Sequence, residues 1–212
     1  MHRNACKPGP DSVLNDNLEN VVGIGKLRRP INVVILGNVG YTKDGTCLAE
    51  RTEMLALRNL SKTMKYDWYP KTEFIGIDLN ECTPRTTNWR QIRANFKEGL
   101  DRLEDGTVDL IISDMSIGFY NRLGIMLSDC KPLRDYTTET LRGAYAKLKN
   151  KRKILLSVVE ERIDLVRGCL FLAGFNEGDI KVSKFGESHY DRTPYTRELK
   201  QMRQGYWIAA EK

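Results

Sequence analysis

The residues best suited to chemistry stand directly after apolar runs. Asp78 follows Phe74-Ile-Gly-Ile, Asp114 closes Val108-Asp-Leu-Ile-Ile-Ser, and Gly37, Gly40 and Gly45 follow Ile31 to Leu36. Glycine after a strand lets the backbone approach a ligand and turn sharply into a helix. A carboxylate ending the second strand can accept hydrogen bonds from both hydroxyls of a ribose. Together they predict a site for an adenosine-containing cofactor. Each also has a plain structural reading: Asp78 as a turn or helix-cap aspartate, Asp114 as a cap on the next loop. Asp114 could act as a base or orient an acceptor. Phe119 and Tyr120 follow it and could stack on a flat acceptor, or pack within their loop. Tyr190, Tyr195 and Arg197 lie in a long connection before the last apolar run, where a substrate lid would sit. The pattern is not that of a dinucleotide site. Gly37-Asn-Val-Gly lacks the G-x-G-x-x-G turn, and 41 residues separate Gly37 from Asp78, where about 20 is usual. No Walker-type lysine loop is present either.

The elements that must position these residues alternate. Ile31 to Leu36 reads as a central parallel strand, because a β-branched apolar run suits burial on both faces. A helix is predicted from Thr46 to Met64, a second strand over Phe74–Asp78, and a third over Trp89–Ala94 with a helix from Asn95 to Leu103. One helix over Thr87–Leu103 is the alternative. Val108–Asp114 is the fourth strand. A helix over Thr137–Lys149, a strand over Ile154–Val159 and a helix over Glu160–Leu172 capped by Gly174 follow. Ile180–Phe185 and Tyr206–Ala210 are the last strands, both with the mixed polarity of a sheet edge. This order predicts an α/β sheet with helices on both faces and ligands at the carboxyl ends of its strands. Residues 1–30 read as a loosely structured extension and 31–212 as the domain.

Composition sets outer bounds. The 212 residues are 41% hydrophobic and 29% charged, which suits one globular domain and excludes collagen, coiled coil and wholesale disorder. No run approaches the roughly 20 apolar residues of a membrane span, and the N-terminus does not read as a secretory signal. Five scattered cysteines without a C-x-x-C pair, and histidines only at 2 and 189, predict free thiols, no metal site and a cytoplasmic setting. The net charge of +6 and pI near 9.0 allow RNA or another anionic partner. The densest basic run, Arg142 to Lys153, is a candidate phosphate contact. Its plain reading is a solvated helix end.

The runs INVVILGNVG, FIGIDLN, GTVDLIISDMS, KILLSVVEE, LAGFNEGDIKVSKFG and YWIAAEK resemble the class I S-adenosylmethionine-dependent methyltransferases, over about residues 31–212. The resemblance implies a Rossmann-like fold, with a mostly parallel seven-stranded sheet whose last strand is antiparallel. It implies S-adenosylmethionine as cofactor, with Gly37, Asn38 and Gly40 around its methionine end. It also implies Asp78 and Leu79 at the ribose and base, Asn95 or Phe96 beside the adenine, and Asp114 next to the transferable methyl. This chain departs from the family at several points. Ile35 stands where an acid is usual, Gly37-Asn-Val-Gly-Tyr41 replaces G-x-G-x-G, and the acid often found after the third strand is absent near Asn95. The helix between the second and third strands is missing or very short.

Two narrower resemblances concern the acceptor. VDLIISDM is similar to the corresponding strand of RNA ribose 2′-O-methyltransferases, with Asp114 and Glu198 matching two of their four catalytic residues. Ser157 stands near the place of one lysine, and Lys26 is a loose match for the other. Thr193-Pro-Tyr-Thr-Arg-Glu198 before Gly205-Tyr-Trp207 is similar to the tail of tRNA guanine-N7 methyltransferases. These resemblances imply catalytic roles for Asp114 and Glu198. With the aromatic and basic residues of the same loops, they make Tyr120, Tyr195 and Arg197 the candidate acceptor contacts. The expected activity is methyl transfer to RNA, a small molecule or a protein. The alternative is a non-catalytic binding module of the same fold.

Overall fold

In a computed structural model of the chain, the described residues are 31–37, 54–63, 69–81, 84–85, 88–114, 116–119, 131–185 and 205–212. The strands are β1 (Asn32–Leu36), β2 (Glu73–Asp78), β3 (Trp89–Arg93), β4 (Val108–Asp114), β5 (Leu148–Val159), β6 (Ile180–Phe185) and β7 (Gly205–Glu211). They form one sheet in the order β3-β2-β1-β4-β5-β7-β6. The pairs from β3 to β5 are parallel, and β7 runs antiparallel to both β5 and β6. The helices are α1 (Leu55–Thr63), α2 (Phe96–Asp101), α3 (Lys131–Lys147) and α4 (Ile163–Ala173).

β1 is central because every residue from Val33 to Leu36 is apolar and essentially inaccessible. A strand of that kind needs neighbours on both sides and cover on both faces. It pairs with β2 on one side and β4 on the other. The chain order reverses direction there, and in open α/β sheets the carboxyl ends of the strands at such a switch point are where a ligand crevice is expected.

α2 begins at Asn95, whose side chain accepts from the Glu98 N–H at 3.0 Å. This satisfies a backbone donor that the helix itself cannot. α3 buries Leu133, Tyr136, Thr137, Thr140, Leu141 and Ala144 at helical spacing. α4 ends at Gly174, whose φ of 112° lets its N–H turn back to the Leu170 and Phe171 carbonyls.

Several expectations are corrected. α3 starts at Lys131, not Thr137, because Pro132 falls in the first turn, where its missing N–H costs nothing. α3 ends at Lys147, and Leu148 already pairs with Val108. β5 is therefore longer than Ile154–Val159, and its first half carries an irregularity. The register passes from Val108↔Leu148 to Leu110↔Lys153, with Lys151 at a φ of 59°. The segment after β5 opens as a 3-10 turn, Glu160–Arg162, before α4 begins. β6 is the edge strand and β7 lies beside it, as expected near a sheet edge, but β7 is paired on both sides and Trp207 to Ala210 are buried rather than mixed in exposure. Asn95 caps α2 rather than lying within it. The strand reading of Trp89–Ala94 is the one observed, ending at Arg93. Among the described residues no helix stands between β2 and β3. The described part of the first predicted helix is α1.

The opposite edge of the sheet is pinned by a buried acid. The Asp109 side chain is fully buried on β4. It accepts from the Asn32 N–H at 3.1 Å and from Lys149 Nζ at 2.6 Å, and lies 3.3 Å from Arg152 Nε. Two donated hydrogen bonds and the neighbouring Arg152 guanidinium offset the cost of taking this carboxylate out of water. They also tie the starts of β1 and β4 to the irregular half of β5.

Candidate active site at the strand carboxyl ends

Gly37 ends β1 at a φ of 71°, with its N–H donating to the Ile77 carbonyl at 3.0 Å. A β-carbon there would collide with the Ser116 hydroxyl, and would lie 2.6 Å from Ser116 Cβ and 3.3 Å from Phe96 Cζ. β1, the loop after β4 and the start of α2 thus meet at one point. Phe96 is partly buried against the core, and its N–H donates to the Tyr136 hydroxyl at 3.2 Å. That bond ties α2 to α3.

Asp78 is half-buried at the end of β2. Its Oδ1 accepts from the Asn80 N–H at 2.8 Å and from the Asn80 amide at 3.3 Å. The turn is braced from β3: Arg93 donates to the Leu79 carbonyl at 3.2 Å and Gln91 to the Asn80 carbonyl at 3.4 Å. Leu79 is exposed at the rim. An aspartate in such a turn holds its carboxylate in one orientation.

Asp114 lies two strands from Asp78, about 10 Å across the sheet from the usual strand spacing. Its register partner on β5 is Ser157, and the Ser157 hydroxyl donates to Asp114 Oδ1. The Ser116 hydroxyl donates to the Asp114 carbonyl at 3.0 Å. Ser157 thus stands beside Asp114, where the resemblance to ribose methyltransferases calls for a lysine. Beyond Asp114, Ile117 and Phe119 are buried, and Gly118 packs tightly against Val166 of α4. Arg162 covers Phe119, with its guanidinium carbon 5.7 Å from the ring centroid. Phe119 is therefore a packed residue rather than an open stacking face.

Sequence reasoning missed Glu160, Arg162 and Tyr206. The first two directly follow β5, the same position that marks Asp78 and Asp114, and were legible only as acids and bases near a helix start. Tyr206 is the second residue of β7, which starts at this rim because it runs backwards. Partial burial holds the Tyr206 phenol above its ordinary range, and hydrogen bonding to the Glu160 carboxylate adds to the shift. Of the sequence-predicted site residues, the structure gathers Gly37, Asp78, Leu79, Asn95, Phe96 and Asp114 along one edge. Asn38, Gly40, Tyr120, Tyr195, Arg197 and Glu198 lie outside the described residues.

The basic run is elsewhere. Lys147 pairs with Asp105 at 2.5 Å, Lys149 and Arg152 with Asp109, and Lys153 with Glu211 at 3.3 Å. Asp105 and Asp109 stand before and at the start of β4, so these pairs occupy the edge opposite Asp114. Lys147 holds the Asp105 carboxyl below its ordinary range through a direct hydrogen bond and its charge. Among the described residues no group of three or more potential ligands could hold a metal. Nor is any described helix long and apolar enough to cross a membrane.

No family model matches the sequence, and no curated protein does. Solved structures do match in shape. A SAM-dependent methyltransferase from Archaeoglobus fulgidus superposes with a TM-score of 0.52 at 16% identity, covering 95% of this chain and 94% of that one. One from Mesorhizobium loti gives 0.50 at 12% identity, over 92% and 97%. Phosphoethanolamine N-methyltransferase 2 of Haemonchus contortus, in complex with S-adenosyl-L-methionine, gives 0.51 at 15% identity. This chain, 93% of it aligned, spans about half of that protein, 52%. The fold is that of the class I S-adenosylmethionine-dependent methyltransferases, with the reversed seventh strand inserted between β5 and β6.

Proposed function

We propose that the chain is an S-adenosylmethionine-dependent methyltransferase whose cofactor lies across the carboxyl ends of β2, β1 and β4. The observation that carries this reading is the arrangement at the switch point of the sheet. Two carboxylates flank a central strand that ends in a left-handed glycine, at the point where the sheet order reverses. The residues present fit the cofactor. Asp78, held in a braced turn, would take the ribose, Leu79 and Phe96 would wall the base, and Gly37 leaves backbone exposed beneath the methionine end. Asn95 would contribute through its side-chain NH2 or its position, because its side-chain oxygen already caps α2.

Bound S-adenosylmethionine supplies a methyl group made electrophilic by its sulfonium. The protein's part is to align the acceptor and, where the acceptor carries a proton, to take it. Asp114 is the group placed to do so. Arg162, Tyr206 and Glu160 line the same rim on the acceptor side, and Tyr120, Tyr195, Arg197 and Glu198 are proposed to join them. RNA as acceptor rests on the net charge, since the densest basic run pairs with acids on the far edge. A second reading, a binding module without catalysis, is favoured by buried Ile35 in place of the family acid and by Ser157 in place of a lysine.

The test is transfer of labelled methyl from S-adenosylmethionine to pools of RNA, protein and small molecules. The expected result is incorporation by the wild type, and a loss of about 10²–10⁴-fold in Asp114→Asn with S-adenosylhomocysteine affinity little changed. Cofactor binding without transfer to any pool would favour the second reading. Near wild-type transfer by Asp114→Asn would remove Asp114 from the chemistry.

A further inference from the structure

We propose that Ser157 is the positioning residue of this site: it fixes the Asp114 carboxylate toward the sulfonium and so makes the crevice prefer S-adenosylmethionine to S-adenosylhomocysteine. This rests on the methyltransferase reading above. Asp114 and Ser157 are register partners on adjacent strands, so their side chains leave the same face of the sheet. The Ser157 hydroxyl donates to Asp114 Oδ1. Ser157 is 1% exposed, and a hydrogen bond shielded from water is held more firmly than one on the surface. Its neighbours Leu156 and Val158 are inaccessible core residues, so the donor stands on rigid backbone. Ser116 secures the other end of the residue by donating to the Asp114 carbonyl. One oxygen of the carboxylate is thus held from the strand beside it.

The chemistry of the donor matters as much as its position. A lysine at Ser157 would compensate the Asp114 charge. A serine hydroxyl orients the carboxylate without itself bringing a positive charge beside it. The two cofactor forms differ by one methyl group and one positive charge. An oriented carboxylate near the sulfur acts on that difference and hardly on the rest of the molecule. Ser157 therefore bears on the ratio of the two affinities, not on both together.

The test is calorimetric titration of the full chain with S-adenosylmethionine and, separately, S-adenosylhomocysteine, beside thermal midpoints. Ser157→Ala is expected to weaken S-adenosylmethionine about five- to tenfold and S-adenosylhomocysteine less than about twofold. Ser157→Thr, which keeps the hydroxyl, should restore the ratio. Ser157→Cys, close in size but a poor donor, should behave like alanine and serves if the alanine variant folds badly. Equal weakening of both ligands would mark a merely structural role and overturn the proposal. If Asp114→Asn shifts the ratio and Ser157→Ala does not, Ser157 does not orient the carboxylate, and the placement of Asp114 stands. If Asp114→Asn leaves the ratio unchanged, Asp114 does not face the sulfonium and the proposal falls with that placement. Binding of neither ligand would overturn the methyltransferase reading itself.

Discussion

Gly37 carries two constraints at once. Its φ of 71° lies where a side chain is strained, and the place a β-carbon would take is filled by Ser116. Gly37→Ala combines backbone strain with overpacking, each costing about 1–3 kcal/mol. We expect a loss of about 2–4 kcal/mol in denaturant titration, together with weakened S-adenosylhomocysteine binding as Ser116 and Phe96 shift. A variant as stable as wild type would mean that the loop after β4 gives way freely and does not define the crevice. At this scale the sequence showed which residues stand at strand ends, because apolar runs stop visibly at Asp78 and Asp114. It could not show that Asn95 spends its side chain on a helix cap, or that the Asp114 partner is Ser157. Those facts depend on cross-strand register and on the start of a six-residue helix. Glu160 and Tyr206 were missed for the same reason: their pairing joins residues 46 positions apart through the antiparallel β5–β7 ladder.

The element that departs most from its sequence pattern is β5. Lys149 to Lys153 read as the end of a helix, since nothing in a basic run announces a strand. The cause of its extended path is Asp109, a buried acid near the start of a mostly apolar strand, which draws Lys149 and Arg152 onto the start of β4. Removing one side of a buried ion pair typically costs about 3–5 kcal/mol. Here Lys149 and Arg152 keep roughly a quarter of their exposure, 28% and 26%, so part of that cost returns through hydration. Asp109→Ala is expected to lose about 2–4 kcal/mol in denaturant titration while S-adenosylhomocysteine affinity stays within about twofold, because the cluster lies at the far edge. A large loss of affinity in a folded variant would mean that the two edges are coupled. By contrast, β4 and β6 agree with their sequence bounds to the residue, since each run is closed by a turn or a change of polarity.

For the molecule as a whole, alternating strands and helices made the α/β class legible, and the paired closing strands made the reversed β7 an expectation of the resemblance. The strand order itself is set by long-range pairing that no local pattern encodes. Charge is also distributed at this scale. The net +6 suggested an anionic partner, yet four of the six cations between Arg142 and Lys153 pair with Asp105, Asp109 and Glu211 at the edge away from Asp78 and Asp114. Net charge alone therefore says little about what enters the crevice.

The central claim is that this crevice grips S-adenosylmethionine through Asp78. Calorimetric titration of S-adenosylhomocysteine into the full chain and into Asp78→Ala tests it most directly. A charged hydrogen bond is worth about 1.5–3 kcal/mol. The account predicts one site per chain in the wild type, an affinity about tenfold or more weaker in Asp78→Ala, and folding of the variant intact by circular dichroism. No binding heat with the wild type, or the same affinity in both proteins, would contradict it.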